Sequence, residues 1–244
     1  MAADGQTPCL PKSVWYTDVL DLQRRRRMMK AVIFDLDGTL LNTLEDIADS
    51  VNAVLETFHL PPRTYEQVRK SVGNGVKRLL NESIPGGETH PQFQEILEYY
   101  VPYYEAHCKI KTAPYKGILE MMAALKDAGM KMAIVSNKGD GAVKELSREF
   151  FMGLVDSSVG ERENIRRKPS PDSVLEAMRE LGVSKEESLY VGDSEVDFDT
   201  ARNAGIPVAL VTWGFRERED LKAMSPAYLI DEPSQLCDAL LADS

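Results

Sequence analysis

Ala31-Val32-Ile33-Phe34-Asp35-Leu36-Asp37-Gly38-Thr39 is the stretch that decides the fold. Its first six residues form a short, nearly continuous apolar run, as expected of a strand buried on both faces of a parallel sheet. The run ends on acids. In extended chain, side chains two residues apart share a face. Asp35 and Asp37 are therefore expected to point the same way, with Leu36 between them facing the core. Neighbouring carboxylates at the end of an apolar strand are costly unless a cation neutralises them. Gly38 permits a sharp turn where a side chain would block a pocket.

Working outward, helix and strand periods alternate. Thr43 with Asp46 reads as a capping box. Ile47, Val51, Val54, Leu55 and Phe58 follow at helical spacing, until Pro61-Pro62 breaks the pattern. Thr64 with Gln67 is a second capping box, and Gly73 stops that helix. Further helices are predicted over 75–83 and 91–107, with Pro102 bending or ending the latter. After a helix that closes at Gly129, strands are predicted at 131–136, near 154–159, at 188–192, near 207–212 and near 227–230. Helices are predicted at 139–150, around 174–181, up to Ala204 and near 233–242. The fold class is thus α/β: a doubly wound parallel sheet, a Rossmann-like core, with an inserted all-helical cap. Residues 29–43 and 111–244 make the core, and 44–110 the cap. Linkers near 41–44 and 110–116 are expected to hinge. Residues 1–28, with a four-Arg run at 24–27 and little periodicity, read as a disordered leader.

Composition narrows the function. The 244 residues carry 29 Lys and Arg against 39 Asp and Glu, a net charge of −10. Phosphate backbones demand a basic surface, so a nucleic-acid partner is excluded. A local positive site for a small anion is not. Three scattered cysteines, Cys9, Cys108 and Cys237, argue for a reducing, cytoplasmic setting and against a disulfide scaffold or structural zinc. No apolar stretch is long enough to span a bilayer, and no membrane partner is expected.

Ligands of open parallel sheets bind beyond the carboxyl ends of the strands. Polar clusters sit at such places: Asp35 to Thr39, Ser136-Asn137, Lys168-Pro169 and Gly192-Asp193, with Asp197 four residues on. Asp193 would add a third carboxylate to Asp35 and Asp37, and such an oxygen-rich group suits Mg2+.

An apolar run followed by Asp-x-Asp-Gly-Thr, then a strand-end Ser-Asn, a Lys-Pro and Gly-Asp-x-x-x-Asp, in that order, resembles the haloacid dehalogenase-like hydrolase superfamily from about residue 30 onward. The resemblance implies a Mg2+-dependent phosphatase working through an aspartyl-phosphate. It makes Asp35 the nucleophile and Asp37 the general acid and base. Ser136 and Asn137 become the phosphoryl-binding pair, and Lys168 the cation steadying nucleophile and phosphoryl oxygens. Asp193, Asp35 and the backbone carbonyl of Asp37 become the Mg2+ ligands, with Asp197 assisting directly or through water. Asp37 also favours phosphate esters over haloacids, because an alkoxide needs a proton to leave and a halide does not.

Val72-Gly73-Asn74-Gly75-Val76-Lys77-Arg78 resembles the cap loop of phosphoglycolate phosphatases, as do Asn42-Thr43 and Val211-Thr212-Trp213-Gly214. Thr39, Thr43, Asn74, Gly75, Lys77 and Arg78 are accordingly the expected substrate-binding residues besides Ser136 and Asn137. Lys77 and Arg78 would meet the substrate's carboxylate. Asn42, where many relatives carry Asp, and Glu161-Arg162-Glu163 before Lys168 depart from the pattern. A small phosphomonoester, phosphoglycolate first, is the expected substrate. A pyrophosphatase, a sugar-phosphate phosphatase, a phosphomutase and a phospho-accepting regulatory module are the alternatives. The protein is expected as a monomer or homodimer. The tyrosines at 99, 100, 103 and 104 read as cap packing.

Overall fold

A computed structural model describes residues 29–241, and the expectation of a disordered leader at 1–28 lies outside the described residues. The chain enters β1 (Ala31–Phe34), turns, and forms the short β2 (Leu41–Asn42). Helices α1 (Leu44–Thr57), α2 (Tyr65–Ser71), α3 (Val76–Ser83) and α4 (Phe93–His107) follow, and the chain returns through β3 (Ala113–Pro114). Alternation then resumes with α5 (Ile118–Asp127), β4 (Lys131–Gly139), α6 (Asp140–Phe151), β5 (Ser157–Glu161) and α7 (Asp172–Leu181). It ends with β6 (Ser188–Gly192), α8 (Glu195–Ala204), β7 (Val208–Val211), α9 (Arg218–Ala223), β8 (Tyr228–Ile230) and α10 (Pro233–Leu241).

Six strands form one sheet in the order β5-β4-β1-β6-β7-β8, every neighbouring pair parallel. The chain moves from β1 through β4 to β5, then crosses back to β6 on the other side of β1. That reversal opens a crevice at the carboxyl end of β1, where an α/β sheet binds ligands. The apolar run at 31–34 is fully buried because both sheet faces are covered. Val32 and Phe34 pack with Ile118 and Met122 of α5, Val143 of α6 and Leu240 of α10. Ala31 and Ile33 pack on the opposite side with Val174 and Ala177 of α7 and Ala201 of α8.

β1 stops at Phe34, two residues short of the predicted strand. Asp35 N–H still reaches Val191 O at 2.8 Å, but the Leu36 carbonyl then accepts from Leu40 and Leu41 and closes a tight turn. Several local expectations are replaced by tertiary ones. Thr64 and Gln67 form their capping box, whereas Thr43 makes no capping hydrogen bond and its buried hydroxyl is unpartnered. Its intended partner, Asp46, is taken by the other linker, accepting Lys111 N–H at 2.9 and 3.0 Å and Thr112 N–H at 2.9 Å. Pro102 lies inside α4 without ending it. Both Pro102 and Glu98, whose carbonyl it would otherwise bond, are exposed, so water can satisfy that group. The sequence pattern did not reveal α9, nor the antiparallel ribbon of β2 with β3.

That ribbon joins the two linkers that bound the helical segment, and Asp46 ties them a second time. Asp46→Ala should lower the unfolding free energy by about 2–3 kcal/mol, as expected for losing hydrogen bonds to a buried charged acceptor. Urea unfolding should show a lower midpoint at an unchanged slope, and Asp46→Asn should lose less.

Candidate active site

Asp35 leaves the end of β1 buried, and its Oδ1 accepts the N–H of Leu36 at 2.7 Å and lies 2.8 Å from Lys168 Nζ. Among the described residues its Oδ2 accepts no hydrogen bond. Lys168 comes from the loop before α7, joined to Pro169 by a cis peptide bond. Its ammonium, 3% exposed as a residue, also donates to Asp197 Oδ1 at 2.8 Å and to Tyr190 OH at 3.1 Å. Burial works against the charge on Lys168, but Asp197 and Asp35 outweigh it and hold its pKa above the ordinary value. Lys168 is therefore a fixed cation.

Asp193 follows β6 directly. Its Oδ1 accepts from Thr39 Oγ1 at 3.1 Å and its Oδ2 from Phe215 N–H at 2.7 Å. Two glycines make room for it. A Cβ on Gly38, whose φ is +84°, would stand 2.5 Å from Asp193 Oδ2, and one on Gly214 would stand 2.3 Å from Asp193 Cβ. Asp35, Asp193 and Asp197 each present an oxygen within 4.8 Å of the others. Both Asp197 oxygens are committed, Oδ1 to Lys168 and Tyr190, Oδ2 to Ser194 Oγ at 2.6 Å and Asp193 N–H at 3.2 Å. Asp197 thus braces the cluster, while Asp35 and Asp193 keep lone pairs to offer. An all-oxygen donor set in a dense negative field fits a hard divalent cation such as Mg2+.

Asp37 lies on the same side of the chain as Asp35, and both line one cavity. Leu36 between them is fully buried. Asp37 Oδ2 is 3.5 Å from Ser136 Oγ, and Oδ1 is 3.0 Å from Lys138 Nζ. Asn137 is not a free phosphoryl donor through its side chain. Its Oδ1 accepts Lys168 N–H at 2.7 Å and its Nδ2 donates to Lys168 O at 3.1 Å, clamping the lysine loop. The same Nδ2 reaches Gly73 O of the helical segment at 3.2 Å.

The cavity, about 340 Å³, lies between sheet end and helices. Of the residues expected from sequence, Asp35, Asp37, Ser136, Asn137, Lys168 and Gly75 line it. Thr39 instead holds Asp193 from behind, and neither Thr43 nor Asn74 reaches the cavity. Lys77 and Arg78 do not reach it either. They are about half exposed and pair with Glu88 and Glu82. The sequence pattern did not single out Lys138 or Arg167, which line the cavity, and it read Tyr100 and Tyr104 as packing alone. Lys138 directly follows Ser136-Asn137 on β4, and that adjacency was the available signal. Arg167 is held by Glu161, one of the acids where the sequence departs from its look-alikes.

Residues 32–211 match the haloacid dehalogenase-like hydrolase family. The chain is 30% identical to the N-acetylmuramic acid 6-phosphate phosphatase of Pseudomonas aeruginosa over 88% of its length and 96% of that protein. It is 32% identical to the phosphoglycolate phosphatase of Aquifex aeolicus, over 85% of this chain and 95% of that one. A crystal structure from Lactobacillus delbrueckii subsp. bulgaricus, inferred to be a phosphoglycolate phosphatase, superposes with a TM-score of 0.83 at 36% identity, covering 88% of this chain and all of that one.

Without a metal, burial and then the charge of Asp197 push Asp193 up to about 7, from an ordinary value of 3.8. Between those values the fold holds a proton that the unfolded chain has lost, so metal-free stability falls as pH rises through that window. A cation binding Asp193 must displace the proton. Mg2+ should therefore raise the melting temperature more near about pH 8 than near about pH 5.5. Equal shifts in a thermal-denaturation series would contradict this placement of the ion.

Proposed function

The chain belongs to the haloacid dehalogenase-like hydrolases, and from that premise we propose that it hydrolyses a small phosphomonoester bearing a carboxylate, phosphoglycolate first. The observation that carries this reading is the buried Lys168 ammonium, 2.8 Å from both Asp35 and Asp197, beside an Asp35 oxygen that accepts no hydrogen bond among the described residues. It leaves one carboxylate oxygen free to act as nucleophile, next to a fixed positive charge.

In this reading Asp35 Oδ2 attacks phosphorus, the bond to the leaving oxygen breaks, and an aspartyl-phosphate forms. Asp37 gives its proton to the departing alkoxide, then takes one from the water that attacks the aspartyl-phosphate. Lys168, its three N–H groups directed to Asp35, Asp197 and Tyr190, holds Asp35 and acts on the equatorial oxygens through its field rather than by a hydrogen bond. Asp197, Tyr190 and Asn137 hold Lys168 in place. Asp35 and Asp193 would hold Mg2+, which supplies positive charge against the phosphoryl oxygens. The helices of 44–110 act as a cap, excluding water and choosing the leaving group.

The carboxylate is supported by the relatives. The substrates in their names, phosphoglycolate and N-acetylmuramic acid 6-phosphate, both carry one beside the phosphate. The second of these also favours a sugar-phosphate reading. So does the cavity of about 340 Å³, which exceeds what a two-carbon ester fills. Free thiols at Cys108 and Cys237 support work in the cytoplasm.

Asp35→Asn should abolish phosphate release with the fold retained, and radiolabelled substrate should leave no label on that variant. Asp37→Asn should lose about 10²–10⁴-fold on alkyl phosphates, and far less in the first step with an activated aryl phosphate. Label trapped on Asp37→Asn but not on Asp35→Asn identifies the nucleophile. Full turnover by Asp35→Asn would end the reading.

A further inference from the structure

We propose that Lys138, completed by Tyr104, is the receptor for a carboxylate on the leaving group, one carbon from the ester oxygen, so that the site selects phosphate esters of 2-hydroxy acids. The proposal rests on the phosphatase reading above and assigns its specificity to residues outside the charged cap loop.

Among the described residues three cations line the cavity: Lys168, Arg167 and Lys138. Lys168 is consumed by Asp35 and Asp197. Arg167 is consumed by Glu161 and is 40% exposed along its side chain. Lys138 differs from both. Its side chain is 9% exposed, and its ammonium stands 3.0 Å from Asp37 Oδ1. It donates to Tyr104 Oη at 2.5 Å and sits 4.4 Å from the centre of that ring. An ammonium has three N–H donors. One meets the tyrosine; the contact with Asp37 is an ion pair without hydrogen-bond geometry, so among the described residues donors remain for a ligand.

Position gives this donor its meaning. To protonate a leaving oxygen, Asp37 must approach it within about 3 Å. If that oxygen meets the carboxylate oxygen that Lys138 faces, it lies within about 6 Å of the ammonium, two hydrogen-bond lengths. A carboxylate attached through one carbon spans that gap. A carboxylate farther along a chain reaches the ammonium only by folding back, at a cost in chain entropy, and a leaving group without one leaves Lys138 with Asp37 and Tyr104 alone.

Tyr104 supplies the second contact. It comes from α4 in the helical segment, is buried, and stacks on Tyr100 with ring centres 5.7 Å apart and planes 4° apart, so its ring is fixed. Burial, with Asp37 nearby, holds its pKa well above the ordinary phenol. It therefore stays protonated, and since its oxygen accepts from Lys138, its own O–H is left to donate. A carboxylate has two oxygens for the pair: one for the ammonium from the sheet, one for the hydroxyl from the cap. Recognition would then require the helical segment to be seated, as it is in this structure.

The test compares kcat/KM for 2-phosphoglycolate with that for ethyl phosphate, which matches it but lacks the carboxylate. Lys138→Met should lower the ratio about tenfold or more, the effect of losing one charge-assisted hydrogen bond, and should do so through KM. Lys138→Arg should retain part of the ratio. Tyr104→Phe, which preserves packing, should lower it less but in the same direction, and it decides the matter if Lys138→Met does not fold. A ratio unchanged in both variants overturns the receptor while leaving the phosphatase reading intact. So does a ratio that instead collapses in Arg167→Ala. If the unaltered protein hydrolyses neither ester, the phosphoglycolate reading falls and takes the receptor with it.

Discussion

A single buried ammonium organises this site. Lys168 Nζ lies 2.8 Å from Asp35 and 2.8 Å from Asp197, with Asp193 the third acid of the group. Three buried carboxylates against one ammonium leave two negative charges uncompensated if all are ionised. Proteins rarely tolerate that imbalance in a low dielectric, and the pKa directions record how it is relieved. Asp197 stays below its ordinary value despite burial, because Lys168, Ser194 and Tyr190 all stabilise its charge. Asp35 and Asp193 are pushed upward, by burial first and then by Asp197. The pair with raised values is the pair whose oxygens are not saturated by the protein. A divalent cation would match the missing charge and bring both carboxylates back to the ionised form.

The backbone around this cluster is shaped to permit it. Gly38 and Gly214 stand where any Cβ would collide with Asp193, and a Cβ on Gly192 would fall 2.3 Å from Asp197 Cβ and Cγ. These close approaches draw β1, β6 and the loop after β7 around the same acids. The parallel sheet explains why such distant segments meet. β1 lies between β4 and β6, so the carboxyl ends of all three open onto one crevice.

Much of this was legible in the sequence because it is written at strand ends. Asp35, Ser136 and Asp193 each end or follow an apolar run, and a parallel sheet gathers such ends together. Helix termination by Gly182 and Gly205, both left-handed here, was equally local. Features decided by contacts distant in sequence were not legible. Thr43 and Asp46 carry a sound capping pattern, yet the carboxylate is taken by backbone N–H groups more than sixty residues away. Lys77 and Arg78 have the right charge beside the right loop, but the helix turns them to solvent and to Glu88 and Glu82. Lys138 and Tyr104 are separated by 34 residues and by a change from helix to strand, and only packing makes them neighbours. Asn137 was found for its position, but its amide serves the Lys168 loop.

Asn137 also ties the Lys168 loop to the helical segment. The Asn137 amide holds both the N–H and the carbonyl of Lys168, and its Nδ2 also reaches Gly73 O of the helical segment. On the neighbouring side, Arg216 is paired with Glu195 at 2.7 and 3.0 Å and donates to Val72 O at 3.2 Å. The loop at 72–75 is thus gripped through its carbonyls by two side chains that the core has already fixed. Backbone contacts of this kind do not read the loop's side chains. They set where the loop sits, while Gly73 and Gly75, at φ +113° and +81°, shape its path. The placement of the loop is then fixed from the sheet side, by the same Asn137 amide that clamps the lysine.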